Sequence, residues 1–78
     1  MTDMKALIEY IARSIVSHPD DVIVECDDSS DKLLFTLQVN PEDKGRIIGR
    51  KGVVAQSIRS LLRVAAVKEG VHAVLEIE

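Results

Sequence analysis

The sequence predicts an α+β domain in the order α-β-β-α-α-β, with a three-stranded mixed sheet carrying three helices on one face. Three observations predict it. An apolar stripe of helical period lies near the N-terminus. Three later segments alternate, each with one apolar face. Two helical segments stand back to back around a glycine-rich junction. Single-sided alternation marks a sheet that is packed on one face only. The 78 residues suffice for one such domain, spanning 1–78, and leave no room for a second compact unit.

The first element is a helix over 4–17. Met4, Ile8, Ile11 and Ile15 recur on one face with Leu7 beside them, and Thr2 or Asp3 can cap the first amides. His18 precedes Pro19, which turns the chain out of the helical region, and Pro19-Asp20-Asp21 is turn chemistry. Residues 22–27 read as a strand with Val22, Val24 and Cys26 inward. Asp28-Ser29-Ser30-Asp31 is a polar hairpin loop. In the second strand, 32–39, Leu33, Phe35, Leu37 and Val39 alternate with Leu34, Thr36 and Gln38. Asn40-Pro41-Glu42-Asp43 starts a short helix: Asn caps, Pro takes the first position, and two acids face the positive end of the dipole. Gly45 and Gly49 interrupt that helix, and Gly49 is placed to end it in a left-handed conformation. A third helix covers 53–68 and stops near Gly70, with Val54, Ile58, Leu61, Leu62 and Ala65 as its core stripe. Residues 71–77 close the sheet with Ala73, Leu75 and Ile77 on one face.

Composition removes several function classes. Hydrophobic residues at 46% and charged residues at 29% are globular proportions, not those of a disordered chain. No apolar run approaches the ~18 residues of a membrane span. Asp3 and Glu9 lie where an export signal would be basic and then apolar, so the expected location is the cytoplasm. The single Cys26 cannot form an intramolecular disulfide or a cysteine zinc cluster, and reads as a buried thiol, not a nucleophile. His18 and His72 have no carboxylate partner within reach of the sequence pattern, so neither a catalytic triad nor a metal site is expected, and no cofactor. The Asp27–Asp31 cluster lacks the loop glycine of an EF-hand. Tyr10 and Phe35 are the only aromatics, too few for a base-stacking sheet.

Net charge is −3, which by itself opposes nucleic-acid binding. Its distribution reverses that reading. Residues 1–43 carry three basic and ten acidic side chains, whereas 44–68 hold Lys44, Arg46, Arg50, Lys51, Arg59, Arg63 and Lys68 and no acid. Within this basic block, residues 45–52 read Gly-Arg-Ile-Ile-Gly-Arg-Lys-Gly. Glycines permit positive φ and close backbone approach. The loop feeds a helix N-terminus, whose free amides and dipole attract phosphate. Arg50 and Lys51 add two full charges there, and Ile47 and Ile48 supply an apolar floor beside the clamp. A Walker A loop does not fit, because Lys51 is followed by Gly52. The dinucleotide fingerprint fails because Ile47 stands where its second glycine belongs.

Ile47-Ile48-Gly49-Arg50-Lys51-Gly52, between two helices and after a β-hairpin, resembles the Ile-Gly-x-x-Gly signature of KH domains. The α-β-β-α-α-β order is similar to the type II form. In size the chain resembles the small bacterial single-KH RNA-binding proteins of the KhpA type. The resemblance places the motif core at about 29–78 and gives Gly49 and Gly52 the role of the loop glycines. Arg50 and Lys51 take the middle positions that meet phosphate, and Ile47 and Ile48 match the apolar pair before them. With Lys44, Gly45 and Arg46 these form the expected RNA site. The resemblance implies a non-catalytic protein that clamps single-stranded RNA, acting as an RNA chaperone or post-transcriptional regulator. It further implies a homodimer or a heterodimer with a KhpB-type KH protein, and a link to cell elongation and envelope synthesis.

A different class of function stays open: a dimerisation module with little RNA binding of its own. Val53, Ser57, Ser60, Val64 and Val67 cluster on a second face of helix 53–68, with Leu61 at the border. Val53, Ser57, Ser60, Leu61 and Val64 are the dimer candidates. The same face could instead pack against helix 4–17 of its own chain. Arg59 and Arg63, one turn apart, read either as RNA contacts or as a solvated helix face.

Overall fold

A computed structural model describes residues 3–28 and 31–78. The elements are α1 (Met4–Ile15), β1 (Ile23–Asp27), β2 (Leu33–Gln38), α2 (Lys44–Ile48), α3 (Val53–Glu69) and β3 (Ala73–Ile77). Short 3-10 turns occupy Pro19–Asp21, Pro41–Asp43 and Arg50–Gly52. The architecture is the α+β arrangement that the sequence predicts. Thr2, Ser29 and Ser30 lie outside the described residues, so the Thr2 cap and the tip of the hairpin loop do too.

The sheet runs β1-β2-β3. β1 pairs antiparallel with β2, as a hairpin must, in the register Val24↔Leu37 and Cys26↔Phe35. β2 pairs parallel with β3, in the register Phe35↔Leu75 and Leu37↔Ile77, which a crossover through α2 and α3 makes reachable. Val24, Phe35, Leu37 and Leu75 point under the helices and are buried, while Glu25 and Glu76 on the other face are exposed. Ile8, Leu37, Ile47 and Leu62 are almost wholly removed from water and anchor the core. Each contributes about 1.5–3 kcal/mol relative to exposure.

Local chemistry sets the element ends. Asp3 caps α1, its side chain accepting from the Ala6 amide at 3.1 Å. Asn40 caps the following turn by accepting from the Glu42 amide at 2.9 Å, with Pro41 in the first position. α3 ends at Gly70, whose φ of +69 lets the Val71 amide turn back to the Ala66 carbonyl at 3.0 Å.

Several expectations need correction. α1 ends at Ile15, not at residue 17, because the Ser17 and His18 amides donate to the Asp43 carboxylate instead of continuing the helix. Cys26 is exposed, although it shares the inward face with Val24. It lies one residue from the end of β1, an edge strand of the sheet. Partial burial and the Asp28 and Asp27 carboxylates push its thiol pKa up, which opposes nucleophilic use. Leu61 is 51% exposed and belongs to the outer face of α3, and Ala55 and Ala66 are buried in the core stripe with Ile58, Leu62 and Ala65. Among the described residues no helix is long and apolar enough to cross a membrane.

Candidate nucleic-acid interface

The site is built from two short helical pieces meeting at a glycine. α2 leaves the Pro41–Asp43 turn and runs only to Ile48. Five residues cannot hold a helix alone, so packing and its two ends fix its direction. Ile47 does the packing and is wholly buried. Ile48 is 44% exposed, so of the apolar pair only Ile48 presents a surface to a ligand.

Asp43 anchors the N-terminal end. Its carboxylate is buried and accepts from the Ser17 amide, the His18 amide and His18 Nδ1, each at 3.0 Å. A carboxylate only accepts, so Nδ1 carries the proton. His18 Nε2 lies 3.7 Å from Glu42. Burial alone raises the Asp43 carboxyl. The bonds from the Ser17 amide, the His18 ring and the His18 amide outweigh burial and hold it below the ordinary carboxylate value. His18 therefore does have a carboxylate partner, 25 residues away, which corrects the expectation drawn from sequence spacing.

Gly49 makes the junction. Its φ is 76 and its ψ 175, an extended mirror region open to glycine, not the left-handed helical region expected for it. The Gly49 amide donates to the Gly45 carbonyl at 2.8 Å and closes α2. A Cβ at Gly49 would stand 2.5 Å from Val54 Cγ2, so the absent side chain lets α2 and α3 touch. Left-handed backbone does occur two and three positions on, at Lys51 (φ 57, ψ 24) and Gly52 (φ 75, ψ 14). Together these three residues turn the chain into α3.

The turn leaves Arg50 and Lys51 exposed at the start of a 17-residue helix that no side chain caps. Lys44, Gly45 and Arg46 are exposed as well. Among the described residues, Lys44, Arg46, Arg50 and Lys51 form no salt bridge. Arg50 and Lys51 thus sit at the positive end of the α3 dipole, an arrangement suited to phosphate, while Lys44 and Arg46 stand exposed on α2.

Sequence reasoning left one region undecided and missed its companion. Between α3 and β3 lies a groove of about 410 Å³, with Arg59, Arg63, Val67, His72, Val74 and Leu75 among its walls. Arg59 Nε donates to the Leu75 carbonyl at 3.4 Å. Arg59 is thus half-buried against β3, whereas Arg63 is exposed. The i, i+4 spacing of the two arginines was visible in the sequence; that β3 and His72 face them depends on how the last strand docks. The dimer candidates occupy a different side. Val53, Ser57, Ser60 and Leu61 line a shallow cleft with Lys51, and Val64 is 56% exposed farther along the helix. Val53, Leu61, Val64 and Val67 are all at least half exposed, so this face does not pack against α1.

The family model KhpA/KhpB, KH domain, matches residues 5–77. The chain belongs to the KhpA/KhpB KH-domain family. Its relatives include an "RNA-binding protein KhpA" of Clostridium perfringens, 42% identical over 74 residues, covering 95% of this chain and 99% of the relative. The protein of the same name from Clostridium acetobutylicum is 43% identical with the same coverage. That of Halalkalibacterium halodurans is 44% identical over 66 residues, covering 85% of this chain and 87% of the relative. Membership in the KhpA/KhpB family agrees with the type II KH order of elements and with the mixed three-stranded sheet.

Proposed function

We propose that the protein is a non-catalytic binder of single-stranded RNA that clamps the sugar-phosphate strand at Gly49-Arg50-Lys51-Gly52. One observation carries this reading: the Gly49–Val54 contact and the positive φ at residues 49, 51 and 52 deliver two exposed cations to the uncapped start of α3. Lys44 and Arg46 extend the positive surface, and the groove beside Arg59, Arg63 and His72 offers the strand a continuation along α3. The relatives named as RNA-binding proteins support the same class of ligand. In this reading the protein works in the cytoplasm as an RNA chaperone or post-transcriptional regulator. The family resemblance extends it to a KhpB-type partner and to control of cell elongation and envelope synthesis.

Binding of short single-stranded and duplex RNA over a range of salt tests the reading. A clamp of this size contacts about four nucleotides, so the salt slope should be shallow, near −0.7 per phosphate neutralised. Preference for duplex, or a slope implying about ten contacts, would overturn it.

A second reading is favoured by a specific observation, the exposed apolar stripe on α3. The protein then self-associates through Val53, Ser57, Ser60, Leu61 and Val64. The Ser57 hydroxyl donates to its own helix at the Val53 carbonyl, 2.9 Å away, so it needs no outside partner at such a contact. Self-association accompanies RNA binding in the first reading and replaces it in the second. Loss of RNA binding on loop mutation separates the two.

A further inference from the structure

The exposed stripe of α3 keeps a strict rhythm. Val53, Ser57, Ser60, Val64 and Val67 follow one another at alternating steps of four and three residues, and all five are exposed. That alternation is the seam of a coiled coil. The seam carries no charge, and the two serines at its middle are small enough for a second helix to come close. Reversed about Ser60, it sets Val53 against Val67, Ser57 against Val64 and Ser60 against itself, so the occupant it fits is α3 of a second copy running antiparallel. Charge favours the same direction. Each uncapped, positive N-terminal end of α3 then lies beside the negative C-terminal end of the other helix, whereas a parallel pair would crowd both sets of loop cations together. The cleft that Lys51 shares with Val53, Ser57, Ser60 and Leu61 receives Val64 and Val67 of the second copy.

One flank of this seam leads to the clamp. Val54, Leu61 and Lys68 stand seven residues apart and so share a flank. Val54 is the residue against which Gly49 closes, which makes this the side on which the clamp begins. Like flanks meet in an antiparallel pair. Leu61, half exposed, meets Leu61 of the second copy near the two-fold axis. Lys68 of the second copy arrives beside Val54, level with Lys51 and Gly52. Lys68 is exposed and, among the described residues, forms no salt bridge. Within its own chain it lies about 25 Å along α3 from Lys51. Charges about 8–10 Å apart are already screened, so it adds little to its own clamp.

We propose that Lys68 of a second copy completes the phosphate clamp, joining Arg50 and Lys51 around one phosphate in an antiparallel α3 pair, so that each dimer holds two composite sites. The composite site rests on the RNA-clamp reading above and gives it a partner and a direction of coupling. Without RNA, three cations face one another at each end of the pair and oppose association. A phosphate between them removes that repulsion. RNA and the second copy therefore strengthen each other's binding, and by the same factor.

Complementation between two variants tests this. Lys68→Gln keeps its own clamp but offers no cation to its neighbour, whereas Arg50→Gln/Lys51→Asn lacks the clamp but keeps Lys68. RNA binding is read by fluorescence anisotropy with a random ten-nucleotide single-stranded RNA, and association by sedimentation with and without that RNA. The RNA should shift the natural protein toward the dimer. Lys68→Gln should associate without RNA at least as well as the natural protein, yet bind the RNA at least roughly fivefold more weakly. An equimolar mixture of the two variants forms dimers that set an intact clamp against an intact Lys68, and should bind the RNA better than the average of the two measured separately. A mixture that only averages, or Lys68→Gln binding the RNA as the natural protein does, overturns the composite site and, with binding lost in Arg50→Gln/Lys51→Asn, leaves the clamp standing. A natural protein that is monomeric when bound to RNA, or whose dimer the RNA dissociates, overturns it too. RNA binding undiminished in Arg50→Gln/Lys51→Asn would remove the clamp and the composite site with it.

Discussion

A Cβ placed on Gly49 would lie 2.5 Å from Cγ2 and 2.9 Å from the backbone nitrogen of Val54. No side chain fits between α2 and α3 at that point, and the φ of 76 with ψ of 175 is itself closed to other residues. Gly49→Ala should therefore lose stability twice over, through strain and through overpacking, by about 2–5 kcal/mol in all. Gly52 has a φ of +75 but open space around it. Gly52→Ala should cost only the backbone part, about 1–2 kcal/mol. Denaturant unfolding of the two variants measures both. Equal losses would mean that the Val54 contact does not constrain the junction.

The buried Asp43 carboxylate makes folding stability sensitive to acid. Its value is held below the ordinary one in the folded protein, so at acid pH the folded state binds fewer protons than the unfolded state. That stabilisation is complete above the unfolded value of about 3.9 and is lost as pH falls from there through the folded value. Asp43→Asn should melt lower than the natural protein at neutral pH and show a flatter dependence of melting temperature on pH below about 4. Melting curves that stay parallel through the acid range would show that Asp43 does not carry this dependence.

Leu61 and Leu62 are neighbours in sequence with opposite roles. Leu62 is 2% exposed and Leu61 is 51% exposed. Leu62→Ala should cost about 2–5 kcal/mol. Leu61→Asp should leave the melting temperature close to that of the natural protein and weaken self-association in sedimentation measurements, if α3 is the contact. A natural protein that stays monomeric at high concentration would remove the α3 contact.

Much of the fold was legible because its signals are local. The alternation of Phe35, Leu37 and Val39 carries the central strand, and Asn40-Pro41 carries the start before α2. The glycine-basic-glycine loop was legible for the same reason. What depended on tertiary placement was not. The period-two pattern sets the face of Cys26 but not its burial near the end of an edge strand, so an inward thiol emerged exposed. Asp43 and His18 meet across 25 residues, and no spacing rule links them. Leu61 sits where a turn of 100° per residue leaves it between two faces, and only the packing of α3 decides. Arg59 finds the Leu75 carbonyl because β3 docks alongside, a long-range event with no local mark.

RNA affinity of the Arg50→Asp/Lys51→Asp double variant, measured beside its melting temperature, tests the central claim most directly. Two attractions become two repulsions where the phosphate strand would lie, and each lost charge-assisted hydrogen bond is worth about 1.5–3 kcal/mol before screening. Binding of short single-stranded RNA should fall at least roughly tenfold, one decade being about 1.4 kcal/mol. Stability should stay within about 0.5 kcal/mol, because both side chains are exposed. Aspartate also tolerates the left-handed backbone at position 51 and suits a helix N-terminus. A variant that is folded and binds RNA as tightly as the natural protein would contradict the account, and would leave the α3 face as the working surface.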